Sequence, residues 1–208
     1  MDSTPLLPMR KKPTQQRARV LVDSLIDAAG EVVARDGLEA LTTVRVAARA
    51  GVSVGSLYQY FDNKNTLVAA LMDRVNGDLI AAVNRVAPQN IGTDPQAFAR
   101  ALLEAAFEVF EARQGLAREL MRHWHRLDIA RGLHRFEQHM LDLLRGYALA
   151  QLREHPVDPS PARAFILINS VVFTLLRYLS QPTPPLFTRE QLIDELAAMA
   201  ARLITAPR

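Results

Sequence analysis

Cysteine is absent from the 208-residue chain, which excludes a disulfide framework and any thiolate metal site and fits a reducing compartment. Glycine is scarce, with nine residues against a hydrophobic share of 49%, and that share is ample for the core of one large or two small domains. No uninterrupted stretch reaches the roughly 18 apolar residues of a membrane span. The opening Met-Asp-Ser-Thr-Pro also lacks the charged and apolar regions of a signal peptide. A cytoplasmic protein without a membrane partner is therefore expected. Period-two alternation is missing too, so the chain is read as all-α. The net charge of +3 is too small to name a partner.

Metal and enzyme signals are equally thin. His123 and His125 fall on different helix faces, and His134 and His139 miss the i, i+4 spacing of a helical zinc pair. Glu119 and His123 do have that spacing, which reads as a surface ion pair. With no Gly-rich phosphate loop and no nucleophile elbow, neither a cofactor nor catalysis is expected, and an all-α enzyme or scaffold is the remotest reading.

What the chain does have is concentrated in residues 42–64, Thr-Thr-Val-Arg-Val-Ala-Ala-Arg-Ala-Gly-Val-Ser-Val-Gly-Ser-Leu-Tyr-Gln-Tyr-Phe-Asp-Asn-Lys. Thr43, Val46, Ala47 and Ala50 recur at i, i+3, i+4 and i+7, one face of a short helix that Thr42 can cap. Gly51 can take the positive φ that ends it. Ser53 then caps a second helix in which Leu57 and Phe61 point inward, leaving Val54, Gly55, Ser56, Tyr58, Gln59 and Tyr60 largely outside. Two tyrosines and a glutamine on one outward face suit phosphates and base edges, and two such helices can place one in a DNA major groove. A surface helix of an ordinary bundle is the plainer alternative.

The segment, with the helix before it and the Asp-Asn-Lys after it, resembles the DNA-binding domain of TetR-family transcriptional repressors over residues 17–72. The resemblance implies that Thr42 and Thr43 touch phosphate, that Val44 lies near base edges, and that Val54, Gly55 and Ser56 face bases. It further implies that Tyr58 and Tyr60 reach the backbone or thymine methyls and that Lys64 clamps a phosphate. Ser53 and Gln59 complete the candidate DNA-binding set. Arg45 departs from the pattern, standing where an acid is frequent, and offers a phosphate contact instead. Gly30 also departs from it, and is expected to soften the first helix by roughly 1 kcal/mol relative to alanine. Ahead of the segment, Arg10, Lys11, Lys12, Arg17 and Arg19 form an acid-free stretch. This is either a basic arm that follows phosphates or a solubilising tail.

Helical periodicity predicts a first helix over 18–36, a fourth from Lys64 to about Arg85 stopped by Pro88, and a fifth from Pro95 to about Gln114, capped by Asp94. Further helices are expected near 118–127, 133–154, 160–180 and 188–205, the last opened by a capping box from Thr188 to Gln191. The resulting map is an arm (1–17), a three-helix helix-turn-helix domain (18–64) and a helical ligand-binding and dimerisation domain (65–208). Nine helices is the architecture that the resemblance implies.

Helix eight is apolar all round, so a second copy is expected to cover its surplus face. The expected homodimer interface comprises Phe165, Ile168, Val172, Leu175, Leu176, Leu192 and Leu196, with full burial inside one subunit as the alternative. A dimer would set two reading helices about 34–36 Å apart, one turn of a palindromic double-stranded operator. The resemblance also implies a small effector among the middle helices that shifts the fourth. Phe107, Phe110, Met121, Trp124, His125, Phe136, His139 and Tyr147 are the candidates to line its pocket, and packed core is their plainer role. A regulator without a small effector, controlled by a partner or acting as an activator, is the alternative function.

Overall fold

The computed structural model describes residues 16–123, 129–151, 157, 160–181 and 186–205. Among these residues every regular element is a helix, and the chain forms two compact units: Met1–Val75 with Arg113–Ile129, and Asn76–Ala112 with Ala130–Arg208. This division differs from the expected boundaries. It cuts the fourth helix after Val75 rather than preceding it, and brings residues 113–129 into the first unit. Residues 1–15, which hold most of the basic arm, lie outside the described residues.

In the first unit α1 (Gln16–Asp36) buries Val22, Leu25, Ile26, Ala28, Ala29, Val32 and Val33, a stripe at helical spacing. Gly30 does not interrupt it. A Cβ there would approach Leu71 Cδ1 to 3.3 Å, so its absence admits a side chain of the fourth helix. Gly37 ends α1 with φ 87°, and a 3₁₀ turn (Leu38–Ala40) leads through fully buried Leu41 into α2 (Thr43–Arg49).

At the end of α2 the Gly51 N–H bonds to the Ala48 carbonyl (3.2 Å) and the Val52 N–H to the Ala47 carbonyl (3.0 Å). With Gly51 at φ 70°, this pair of bonds is a Schellman closure. Ser53 then caps the short α3 (Val54–Tyr58), its hydroxyl accepting from the Ser56 N–H at 3.0 Å.

Helix α4 (Lys64–Asn90) starts on Asn63, whose Oδ1 accepts from the N–H groups of Asn65 (2.8 Å) and Thr66 (3.1 Å). It does not stop before Pro88, as expected, but passes through it to Asn90. The proline falls in the last turn, and the side-chain amides of Gln89 and Asn90 donate to the carbonyls of Arg85 (3.0 Å) and Val86 (2.9 Å). These side-chain bonds add to the final turn of α4.

Helix α5 (Pro95–Glu111) is capped by Asp94 as expected but ends three residues early, and α6 (Gln114–His123) occupies the gap. α6 packs on α1 and buries Leu116, Ala117 and Glu119. The expected Glu119–His123 pair is formed at 3.5 Å, but Glu119 is buried, so the pair does not lie on the surface as expected.

The second unit contains the rest of α4, α5, α7 (Ile129–Ala150, four residues earlier at each end than expected), α8 (Pro161–Leu179) and α9 (Arg189–Ile204). The predicted Thr188 capping box is formed. α5 packs against α8 and α9. At 19 residues α8 is, by length and composition, apolar enough to cross a membrane, although no uninterrupted apolar run spans it. Asn169, Ser170 and Thr174 break the run without making the helix polar, and here its buried side is taken up by the bundle.

Candidate nucleic-acid interface

The N-terminal turns of α2, α3 and α4 and the C-terminal end of α3 carry the candidate DNA-binding residues, all within the first unit. Thr42 is exposed, and its hydroxyl accepts from the Arg45 N–H at 3.2 Å. Val44 stands 61% exposed with no apolar cover, a position suited to a thymine methyl. Thr43 Oγ1 and the Tyr58 hydroxyl lie 3.2 Å apart, tying the start of α2 to the end of α3. Ser53, Gly55 and Gln59 are exposed and Val54 and Ser56 half-buried, while Lys64, the first residue of α4, keeps part of its side chain in solvent.

Tyr60 is the exception. It was expected outward but is 8% exposed, because α3 ends at Tyr58. The Tyr60 and Phe61 N–H groups both bond to the Leu57 carbonyl at 3.0 Å, and this tightening of the chain brings Tyr60 into the core beside the inward side. It is removed from the set of DNA contacts.

The surface charge at this face is partly neutralised. Arg35 makes a two-pronged contact with Asp36 (2.9 and 3.1 Å), and Arg45 Nη1 lies 3.6 Å from the same carboxylate. The hydrogen bond from Arg35 holds the Asp36 carboxyl below its usual range. Arg49 pairs with Glu31. Arg45 is thus loosely held and exposed, and a phosphate can compete for it at small cost. Asp36, Asn63 and the bond from Leu38 to Glu119 were missed by sequence reasoning. The Asn-x-x-Thr spacing signals the Asn63 cap, and the i, i+4 spacing to His123 marks Glu119 as an ion-pair member, whereas nothing local signals its bond from the Leu38 N–H, 81 residues away.

Among the described residues, the candidate ligand residues make contacts in more than one place. Phe107 meets Tyr178 edge-on, with ring centroids 5.7 Å apart, and the Arg189 guanidinium lies 5.0 Å from its ring centre. Tyr147 instead stacks on Phe98 at 4.1 Å and donates its hydroxyl proton to the Thr93 carbonyl at 2.6 Å. Phe110 and Phe136 are buried, and His139 Nε2 lies 2.9 Å from Asn84 Oδ1. Trp124, His125 and the Met121 side chain lie outside the described residues. Among those described, no group of three or more metal-ligating side chains gathers.

The expected dimer surface also needs correction. Ile168, Leu175, Leu176 and Leu196 are buried by their own chain, and Val172 and Leu192 half-buried. Phe165 and its neighbour Ile166 remain exposed, at 58% and 53%.

Residues 25–71 match the family model described as bacterial regulatory proteins, tetR family. Over 119 residues the chain is 29% identical to nucleoid occlusion factor SlmA of Glaesserella parasuis, a stretch covering 57% of this chain and 56% of that protein. Over 111 residues it is 32% identical to HTH-type transcriptional regulator BetI 1 of Chromohalobacter salexigens, with 51% and 54% covered. The chain thus spans about half the length of the curated relatives it matches. Among solved structures it resembles a TetR family transcription regulator from Marinobacter aquaeolei (TM-score 0.65, 21% identity, covering 92% of this chain and 99% of the other). It also resembles the fatty acid degradation regulator FadR from Bacillus halodurans (TM-score 0.66, 19% identity, 91% and 97% covered).

Proposed function

Because the chain belongs to the TetR family of DNA-binding transcriptional regulators, we propose that it is a cytoplasmic, non-catalytic homodimeric repressor, released from a palindromic operator by a small apolar or aromatic effector. The observation that carries the DNA reading is the closed helix-turn-helix. The Schellman bonds at Gly51 fix the angle between α2 and α3, and Val44, Gly55, Tyr58 and Gln59 project from them into solvent. Helix N-termini with hydroxyl caps donate to phosphate with the dipole behind them, and Lys64 adds a salt-sensitive charge. Dimerisation is supported by Phe165 and Ile166, two large apolar side chains left uncovered on α8.

The test is selection of duplexes from a random pool by the purified protein. A palindrome with two equivalent half-sites bears the reading out, and binding that vanishes in salt without an enriched motif defeats it.

The similarity to proteins named nucleoid occlusion factor favours a second reading, in which DNA binding answers to a protein partner and no small effector is needed. Release of the selected duplex by a protein-free cell extract supports the effector. Release by the protein fraction alone supports the partner.

A further inference from the structure

Glu119 is a buried carboxylate that the DNA reading, on which this inference rests, leaves without a task. Its side chain, on α6, is 8% exposed, and a charge so enclosed is costly unless paired and hydrogen-bonded. Both conditions are met. Arg122 Nη1 approaches Oε1 to 3.0 Å, and His123 Nε2 approaches Oε2 to 3.5 Å. Oε2 also accepts from the Leu38 N–H at 3.0 Å.

That last bond falls on the turn between α1 and α2. Leu38 follows Gly37, whose φ of 87° few other residues tolerate. A Cβ on Gly37 would sit 3.2 Å from Glu119 Oε2, so the carboxylate fills the space that glycine leaves. A second close approach holds the same helix: a Cβ on Gly115 would lie 2.7 Å from the Ala34 carbonyl oxygen. The clasped turn runs through buried Leu41 directly into Thr42, the cap of α2. Rotating this turn would re-aim the whole start of α2, where Thr42, Thr43, Val44 and Arg45 stand. α6 therefore belongs to the reading unit, although the chain on both its sides belongs to the other.

We propose that Glu119 is a positioning residue for operator recognition. By accepting from the Leu38 N–H, it sets the α1–α2 turn and hence the aim of α2 at the DNA. What matters is an acceptor at full reach more than its charge, and conservative variants separate the two. Glu119→Gln keeps the length and an acceptor while losing the charge. Glu119→Asp keeps the charge but withdraws it by one methylene.

The experiment measures binding to the duplex selected by the unaltered protein, and to an unrelated duplex of equal length. Both are read at a temperature where circular dichroism shows every variant folded, with amide exchange at Leu38 followed in parallel. The expected order is Gln close to the parent and Asp weaker by roughly tenfold on the selected duplex, the worth of one buried hydrogen bond. Affinity for the unrelated duplex stays within about twofold, since its phosphate contacts tolerate re-aiming, and Leu38 exchange quickens in Asp alone. A merely structural glutamate would not spare the unrelated duplex. Asp equal to or better than Gln would overturn the proposal in favour of a charge role, as would a folded Glu119→Ala that binds the selected duplex like the parent. If the parent selects no duplex, the DNA reading itself fails, while Leu38 exchange still reports on the clasp.

Discussion

Tyr58 and Tyr60 stand two residues apart in the sequence and meet opposite environments, one 42% exposed and bonded to Thr43, the other 8% exposed. Sequence reasoning placed both outside because it continued the period of α3 beyond the residue where the helix stops. The distinction is testable: Tyr60→Ala is expected to lower stability by about 3–5 kcal/mol, as for other large aromatic truncations. Tyr58→Phe should leave the denaturation midpoint in place while weakening DNA binding, and equal midpoints for the two variants would contradict the burial.

Lys64→Ala should weaken binding to all duplexes alike and reduce the slope of log affinity against log salt by about 0.9, one phosphate's worth. A loss confined to one operator base would rule the phosphate role out.

In the second unit, burial with the added charge of Asp94 pushes the Tyr147 phenol up to about 12. The native state thus keeps a proton that the unfolded chain begins to lose near 10. The resulting stability is complete below about pH 10 and is lost as pH rises through about 12. Phenolate absorbance of the parent minus that of Tyr147→Phe should titrate near 12, and a midpoint near 10 would place the ring in water.

At the scale of elements, the capped helix starts were legible and several other boundaries less so. Thr42, Ser53, Asp94 and Thr188 each cap the helix assigned to them, because a cap is a bond between residues two or three apart. The ends depend on more. α4 carries Pro88 in its last turn, where two side-chain amides donate to the carbonyls of Arg85 and Val86, and α5 gives way to an α6 that packs on α1. That packing is close enough for a prediction: Gly115→Ala places a Cβ against the Ala34 carbonyl and should cost about 1–3 kcal/mol in chemical denaturation, as overpacking does. An unchanged midpoint would mean that the helices do not meet so closely.

At the scale of the whole molecule, the proposed dimer divides the apolar residues of α8 into two kinds. Phe165→Glu should leave helicity intact while sedimentation shows monomers and operator affinity falls, because Phe165 is open to solvent. Leu175→Glu should fail to fold, since Leu175 is 1% exposed and an unpaired buried charge is strongly destabilising. A folded Leu175→Glu monomer would return the interface to the inner face. The apolar pattern of α8 could not separate these positions, for a helix apolar all round carries no mark of which side its own bundle covers. By itself the sequence determined the helical class, the helix-turn-helix and its caps, because these are settled by bonds and contacts within a few residues along the chain. Only the tertiary structure decided that Tyr60 turns inward, that Phe107 and Tyr147 lie in different aromatic clusters, and that Glu119 holds the turn before α2. Each depends on partners brought close by packing, in the last case across 81 residues, and no local period records them.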